Sequence, residues 1–261
     1  MRESWDHRIH RAGQLVAEGG AVAPLLAFYA RLLQAQKQMY EALGRTARPS
    51  GSPKADLPLI GGPALTVLQA VAEHGPPQLN VEARTLMGGT PAGIGDLLCT
   101  YWFCPSDRQF FAKAILQPYA QWLAEAGIIP GDRVRTAAEN RCPKCGGVAQ
   151  LSILEASSAV SAGGSGRLLL CATCLTSWPF RRIRCPWCGE DDERKLGYFE
   201  SPAFDYQRVD ACDACRRYSK SIDLGRLGLA VPLVDEVAGA SLDLWAREHG
   251  YEKIELNLVG L

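Results

Sequence analysis

The chain has 261 residues, enough for one large domain or two smaller ones, and 47% of them are hydrophobic, an ordinary globular share that excludes intrinsic disorder. Twenty-eight lysines and arginines balance twenty-eight aspartates and glutamates, so no overall field draws the molecule to nucleic acid or to an anionic membrane. The opening MRESWDHRIHR lacks the apolar run of a signal peptide, and no stretch holds about 18 uninterrupted apolar residues; the expectation is a soluble, cytoplasmic protein without membrane insertion.

From Arg8 to about Gly127 the pattern is helical. In PLLAFYARLLQAQKQMYEAL, residues Leu25, Phe28, Leu32, Leu33, Gln36, Met39, Tyr40 and Leu43 recur at three- and four-residue spacing, and Pro24 suits a first turn, where its missing N–H costs nothing. RPSGSPKADLPLIGGP reads as a polar connection rich in proline and glycine. Shorter helices are predicted at Ala64–His74, Val81–Met87 and Gly93–Trp102. A longer one, Asp107–Ala126, would bury Phe110, Phe111, Ile115, Tyr119, Trp122 and Leu123, with Pro118 kinking or splitting it. Aromatics at this spacing read as core rather than as a cofactor pocket.

After Gly131 the apolar residues come in short runs such as LSIL and RLLL, separated by turn residues, as expected of short strands. SAGGSG, Ser161 to Gly166, reads as a hairpin tip; it lacks the Lys-Ser/Thr that follows a phosphate loop. Helix returns at Pro232–His249, with Leu233, Val237, Leu242, Leu244 and Trp245 as apolar contacts and Gly250 as the stop. The expected organisation is therefore α+β: a helical domain at 1–130, one four-cysteine module at 131–180, a second at 181–225, and a C-terminal helix and tail at 226–261.

Ten cysteines in a chain without an export signal point to metal or redox chemistry rather than disulfides. Eight of them form four C-x-x-C pairs: Cys142/Cys145, Cys171/Cys174, Cys185/Cys188 and Cys212/Cys215. The gaps run long, short, long, and each long gap can hold a β-hairpin that returns the second knuckle to the first. Two residues between cysteines let one tight turn aim both sulfurs at one ion. In CPKCGG and CPWCGE the proline stiffens the turn, while Gly146 and Gly189 can take the positive φ that points N–H groups at sulfur. Leu175 and Arg216 occupy the matching positions of the other two knuckles, where backbone strain or a different turn is expected. Two four-cysteine sites follow, joined by LTSWPFRRIR as a hinge, each suited to zinc or to a single iron. Cys99 and Cys104 read as core thiols, and His7, His10, His74 and His249 as ordinary residues without a ligand-like partner.

The order of these motifs resembles the family of the formate dehydrogenase accessory protein FdhE: a helical region, CPKCGG, CATCLTSW, at once RCPWCGE, then CDACRRYSKSID, and finally VDEVAGASLDLWAREHGY. The resemblance covers most of the chain. It implies a helical domain followed by two tandem rubredoxin-like or zinc-ribbon metal modules. It also implies a cytoplasmic protein that binds iron or zinc and is needed for active respiratory formate dehydrogenase, contacting the catalytic subunit before export. Carried over by motif, the ligands are the eight paired cysteines. Arg216, where the family often has a small residue, and the tail NLVGL depart from the family pattern.

Three functions compete. A maturation factor that is not itself an enzyme is favoured by the resemblance, and no Ser/His/Asp or Cys/His constellation can be read from the sequence. A nucleic-acid-binding zinc ribbon is disfavoured: Asn140 to Lys220 holds twelve Lys and Arg against nine Asp and Glu, and two loaded four-thiolate centres would bring that segment to about −1. Dithiol or iron redox chemistry, or metal transfer, remains as a layer on the first function, with RRIR as a surface for an acidic client.

Overall fold

A computed structural model describes residues 4–106, 109–131, 138–155 and 166–261. The start expected at Asp107 and all but Gly166 of the expected SAGGSG tip lie outside these residues. The chain divides into two compact units. One comprises Met1–Arg135 with Lys144–Gly146 and Thr173–Leu175; the other comprises Thr136–Pro143, Gly147–Ala172 and Thr176–Leu261.

The first unit holds helices α1 (Trp5–Glu18), α2 (Ala23–Leu43), α3 (Pro53–His74), α4 (Pro77–Gly88), α5 (Pro91–Phe103) and α6 (Phe110–Glu125). Helix α3 corrects the expected connection, which shrinks to a few residues ending at Ser52. Pro53 starts the helix and Pro58 and Pro63 lie inside it. Burial of Ile60, Ala64, Val67, Leu68 and Val71 among α2, α4, α5 and α6 overrides the breaker signals of the local sequence. By length and composition alone α3 is apolar enough to cross a membrane. Its entry is fixed by Asp56, which is buried and accepts the N–H groups of Ser50 (2.9 Å) and Gly51 (3.2 Å) and the hydroxyl of Tyr119 (2.7 Å).

Helix α6 runs unbroken through Pro118 and is buried on nearly every side from Phe111 to Gln121, so the one-sided face read from the sequence is too narrow. A proline lacks the N–H that would bond the carbonyl four residues back, here Ala114. Gln36 of α2 supplies the missing donor, its Nε2 lying 2.8 Å from the Ala114 oxygen. The one polar residue on the apolar face of α2 is thus there to satisfy the defect that Pro118 creates. Gln36→Leu should leave that carbonyl buried and unpaired, lowering unfolding free energy by about 1–3 kcal/mol in denaturant titration.

The second unit is built on one sheet of β1 (Ala149–Leu154), β2 (Arg167–Cys171), β3 (Ser177–Phe180), β4 (Leu196–Ser201), β5 (Phe204–Cys212), β6 (Arg217–Asp223) and β7 (Glu252–Lys253). Strands β1, β2 and β3 form one antiparallel meander and β4, β5 and β6 a second. The spatial order is β3-β2-β1-β6-β5-β4, and β1 and β6 pair in parallel with Ile153 opposite Ile222. The two repeats therefore share a sheet, and the expected hinge LTSWPFRRIR instead contributes β3 to it.

The single C-terminal helix expected at Pro232–His249 is two helices, α7 (Pro232–Ala238) and α8 (Ala240–Glu248), broken at Gly239. A Cβ there would stand 2.2 Å from Gln207 Oε1, so a larger residue at this position would have to displace the Gln207 side chain from its bond to the Asp235 carbonyl. Helix α8 packs Leu242 and Ala246 onto Val209, Ala211 and Tyr218, and Gly250 follows it with φ +77.

Between α7, α8 and the sheet lies a charge cluster that hydrophobic patterning does not reveal. Lys220 and Lys253, both buried, meet Asp243 and Glu236, whose side chains are equally inaccessible. Lys220 donates to the Asp243 carboxylate and to the Glu236 carbonyl; Lys253 lies 2.6 Å from Glu236 Oε1 and 3.0 Å from Asp243 Oδ1. Tyr218 and Gln150 donate to the same two carboxylates at 2.9 and 2.6 Å. Two cations and two anions thus balance. Burial opposes the charge on Asp243, but the Lys253 and Lys220 ammoniums prevail and hold its pKa below the ordinary value. A carboxylate lowered in the fold stabilises above its unfolded value and ceases to do so as acid protonates it, here below about pH 4. Asp243→Asn should cost about 3–5 kcal/mol near neutral pH by leaving two buried ammoniums to one carboxylate. Lys220→Met should cost less, since Asp243 keeps Lys253 and Tyr218; thermal unfolding of both variants tests the order.

Candidate metal centres

Each meander carries its cysteines in the same places: one knuckle before its first strand, the other between its second and third strands. Antiparallel pairing sets Ala149 opposite Cys171 in the first meander and Leu196 opposite Cys212 in the second, which returns the later knuckle to the earlier one. Cys142 N–H bonds Gly147 O at 2.9 Å and Cys185 N–H bonds Glu190 O at 2.8 Å, closing the two leading turns. Gly146 and Gly189 follow those turns with φ of +72 and +80. The other two knuckles need the same left-handed step and take it on non-glycine residues, Leu175 at φ +55 and Arg216 at +56. The strain read from the sequence is therefore present at both.

The result is two groups of four sulfurs, Cys142/Cys145/Cys171/Cys174 and Cys185/Cys188/Cys212/Cys215, each with all sulfurs within 4.8 Å of one another. In the second group Cys185 and Cys215 Sγ are 3.8 Å apart, and Cys188 and Cys212 Sγ 3.7 Å. A tetrahedron of thiolates about 2.3 Å from one ion has edges of about 3.8 Å, so the donor set fits a tetrahedral ion and is far too open for disulfides. The Trp187 N–H approaches Cys185 Sγ at 3.4 Å. Burial pushes the Cys185 thiol up to about 11 and raises Cys215 too, against the N–H groups that face them. Burial acts on Cys188 in the same sense, but there the Glu190 N–H and the neighbouring sulfurs outweigh it and hold the thiol below its ordinary value.

The two groups differ in access. Every cysteine of the first is buried, whereas in the second Cys188 is exposed and Cys215 half-buried. Beside Cys188, Trp187 is covered by the Arg217 guanidinium 4.0 Å from its ring centroid. Arg216, past the last knuckle, bonds Asp213 Oδ1 at 2.8 Å and lies 4.0 Å from the Tyr251 ring centroid.

No family model matches the chain. It is 33% identical over 201 residues to the FdhE homolog of Aquifex aeolicus, an alignment spanning 74% of this chain and 68% of the relative. The chain belongs to the FdhE family. The FdhE homolog of Pseudomonas putida is 28% identical over 283 residues, spanning 95% of this chain and 86% of the relative. The crystal structure of the FdhE protein from Pseudomonas aeruginosa superposes with a TM-score of 0.70 over 99% of this chain and 97% of that one, at 23% identity, which establishes the shared fold.

In this FdhE-family chain the structure brings the four pairs together two by two, in the order of the long gaps. Cys104 corrects one expectation: it caps the end of α5, its N–H bonding Thr100 O at 2.9 Å, and its side chain is exposed rather than in the core. All four histidines are exposed. The unequal access of the two centres was not read from the sequence, because the two leading knuckles share one spacing and burial depends on neighbours in space.

Proposed function

We propose that the eight paired cysteines hold two metal ions, iron or zinc, one in each four-sulfur group, and that the protein is a non-enzymatic accessory factor for formate dehydrogenase. It binds the catalytic subunit of that enzyme in the cytoplasm, before export. Kinship with the FdhE homolog of Aquifex aeolicus is the observation that carries the accessory role. The sulfur spacing of 3.7–3.8 Å in the second group supports the metal assignment. Deleting the gene should abolish formate dehydrogenase activity while the transcript of the catalytic subunit persists; full activity in the deletion strain overturns the role.

Exposure of Cys188 favours a second layer, in which the second centre exchanges metal or electrons while the first is structural. Thiolates shielded by protein give up metal slowly, and a chelator needs access to displace one ligand at a time. The purified protein should contain two metals per chain and release them to excess chelator in two phases at least about tenfold apart. Cys188→Ser should alter the fast phase alone, and Cys174→Ser should unfold the β1–β3 meander. A single phase of release would remove the distinction.

A further inference from the structure

Beside the second four-sulfur group the sheet unit opens into a cavity of about 320 Å³, with Cys185 and Cys212 in its wall. Its charged lining is one-sided: Arg167, Arg182, Arg184, Arg208 and Arg217 against Glu193 and Asp210. A four-thiolate centre loaded with a divalent ion carries two negative charges, which leaves the lining positive. Arg167 is committed to the fold, donating to Ser152 Oγ at 2.9 and 3.0 Å and to the Arg182 and Arg184 carbonyls at 3.3 and 3.0 Å. Arg208 and Arg217 are less occupied. Arg208 sets Nε 2.8 Å from Asp210, and Arg217 sets Nη2 3.1 Å from Glu252, one nitrogen each of a fork that carries five N–H donors.

The cavity borders a sheet edge. Of the two terminal strands, β3 contains Pro179, which blunts an edge against further pairing; β4 has no proline, and among the described residues nothing pairs its outer side. Side chains alternate along β4. Leu196 and Tyr198 line the cavity, with the Arg208 guanidinium 5.0 Å from the Tyr198 ring centroid, while Phe199 turns the other way onto Trp245 at 4.5 Å. Tyr198 is 64% exposed.

From this geometry we infer that β4 and the arginine-lined cavity form one docking site for an extended acidic peptide segment of a partner protein. The segment adds a strand to β4, and its carboxylates, at every second position, enter the cavity toward Arg208 and Arg217. Backbone pairing supplies affinity without sequence preference, and the alternate side chains supply selectivity. The walls of Ile183, Pro186 and Ile254 accept the apolar stems of those residues. The naming of that partner as a client rests on the accessory role proposed above; the binding itself does not involve formate dehydrogenase and is measured without it.

The test uses the full metal-loaded protein and a fluorescently labelled eight-residue peptide alternating Val and Glu, its Val and Gln counterpart, and inorganic phosphate, read by fluorescence anisotropy. The Glu peptide should bind at least about tenfold more tightly than the Gln peptide and weaken as salt is raised. Arg208→Gln should reduce its affinity by about tenfold or more. Tyr198→Pro, which leaves the arginines intact and blocks strand addition, should do the same, with circular dichroism and metal content unchanged in both variants. Equal affinity for the Gln peptide, no binding by about 1 mM, or displacement of the Glu peptide by an equimolar amount of phosphate would overturn the inference, the last by making the cavity a small-oxyanion site.

Discussion

Bringing four sulfurs within 4.8 Å of one another, twice, is the constraint on which the sheet unit depends. It dictates the hairpin between each pair of knuckles, since only an antiparallel return sets Cys171 beside Ala149 or Cys212 beside Leu196. It dictates a left-handed residue after every knuckle, and the chain accepts that step on Leu175 and Arg216 as well as on Gly146 and Gly189. A third strand then leaves each second knuckle and pairs back. Once two such meanders exist, β1 and β6 offer facing edges, and their parallel pairing makes one sheet of two repeats.

Both units also contain polar groups where apolar ones would be expected, and each has an identifiable creditor. Gln36 completes the hydrogen bond that Pro118 removes from α6. Asp56 gathers the N–H groups that open α3. Lys220, Lys253, Asp243 and Glu236 neutralise one another where α7 and α8 meet the sheet, and Lys253 further bonds the Leu261 carbonyl at 2.8 Å. Such clusters favour one arrangement over its alternatives because any slip would strand a charge in a place without water. The break at Gly239 serves the same geometry, since α7 and α8 on either side of it both supply acceptors to Lys220.

Duplication of the cysteine module did not yield two equivalent centres. The cysteines of the first are all buried; the second has Cys188 at the surface and arginines beside it, with the terminal strand β4 adjoining. In a protein proposed to handle an oxidoreductase subunit, a protected centre suits a scaffold and an accessible one suits contact or exchange. The arginines have a double role in that picture, offsetting thiolate charge on one side and presenting donors to the cavity on the other.

The sequence by itself determined the division into helices and strands, the pairing of the cysteines into two groups, and the two strained positions after the later knuckles. These are local matters: periodicity, a two-residue spacing and the φ that a turn requires are all written in neighbouring residues. It misread α3 because Pro58 and Pro63 signal a break, and only the burial of Ile60, Val67 and Val71 by other helices outweighs that signal. It missed the α7–α8 break, β3 within LTSWPFRRIR, the buried lysines and the exposure of Cys188 for a common reason. Each depends on neighbours in space that local patterning does not name: β2 for β3, and Asp243 and Glu236 for Lys220 and Lys253. Burial and charge pairing are properties of neighbours in space, and tertiary structure alone decides who those neighbours are.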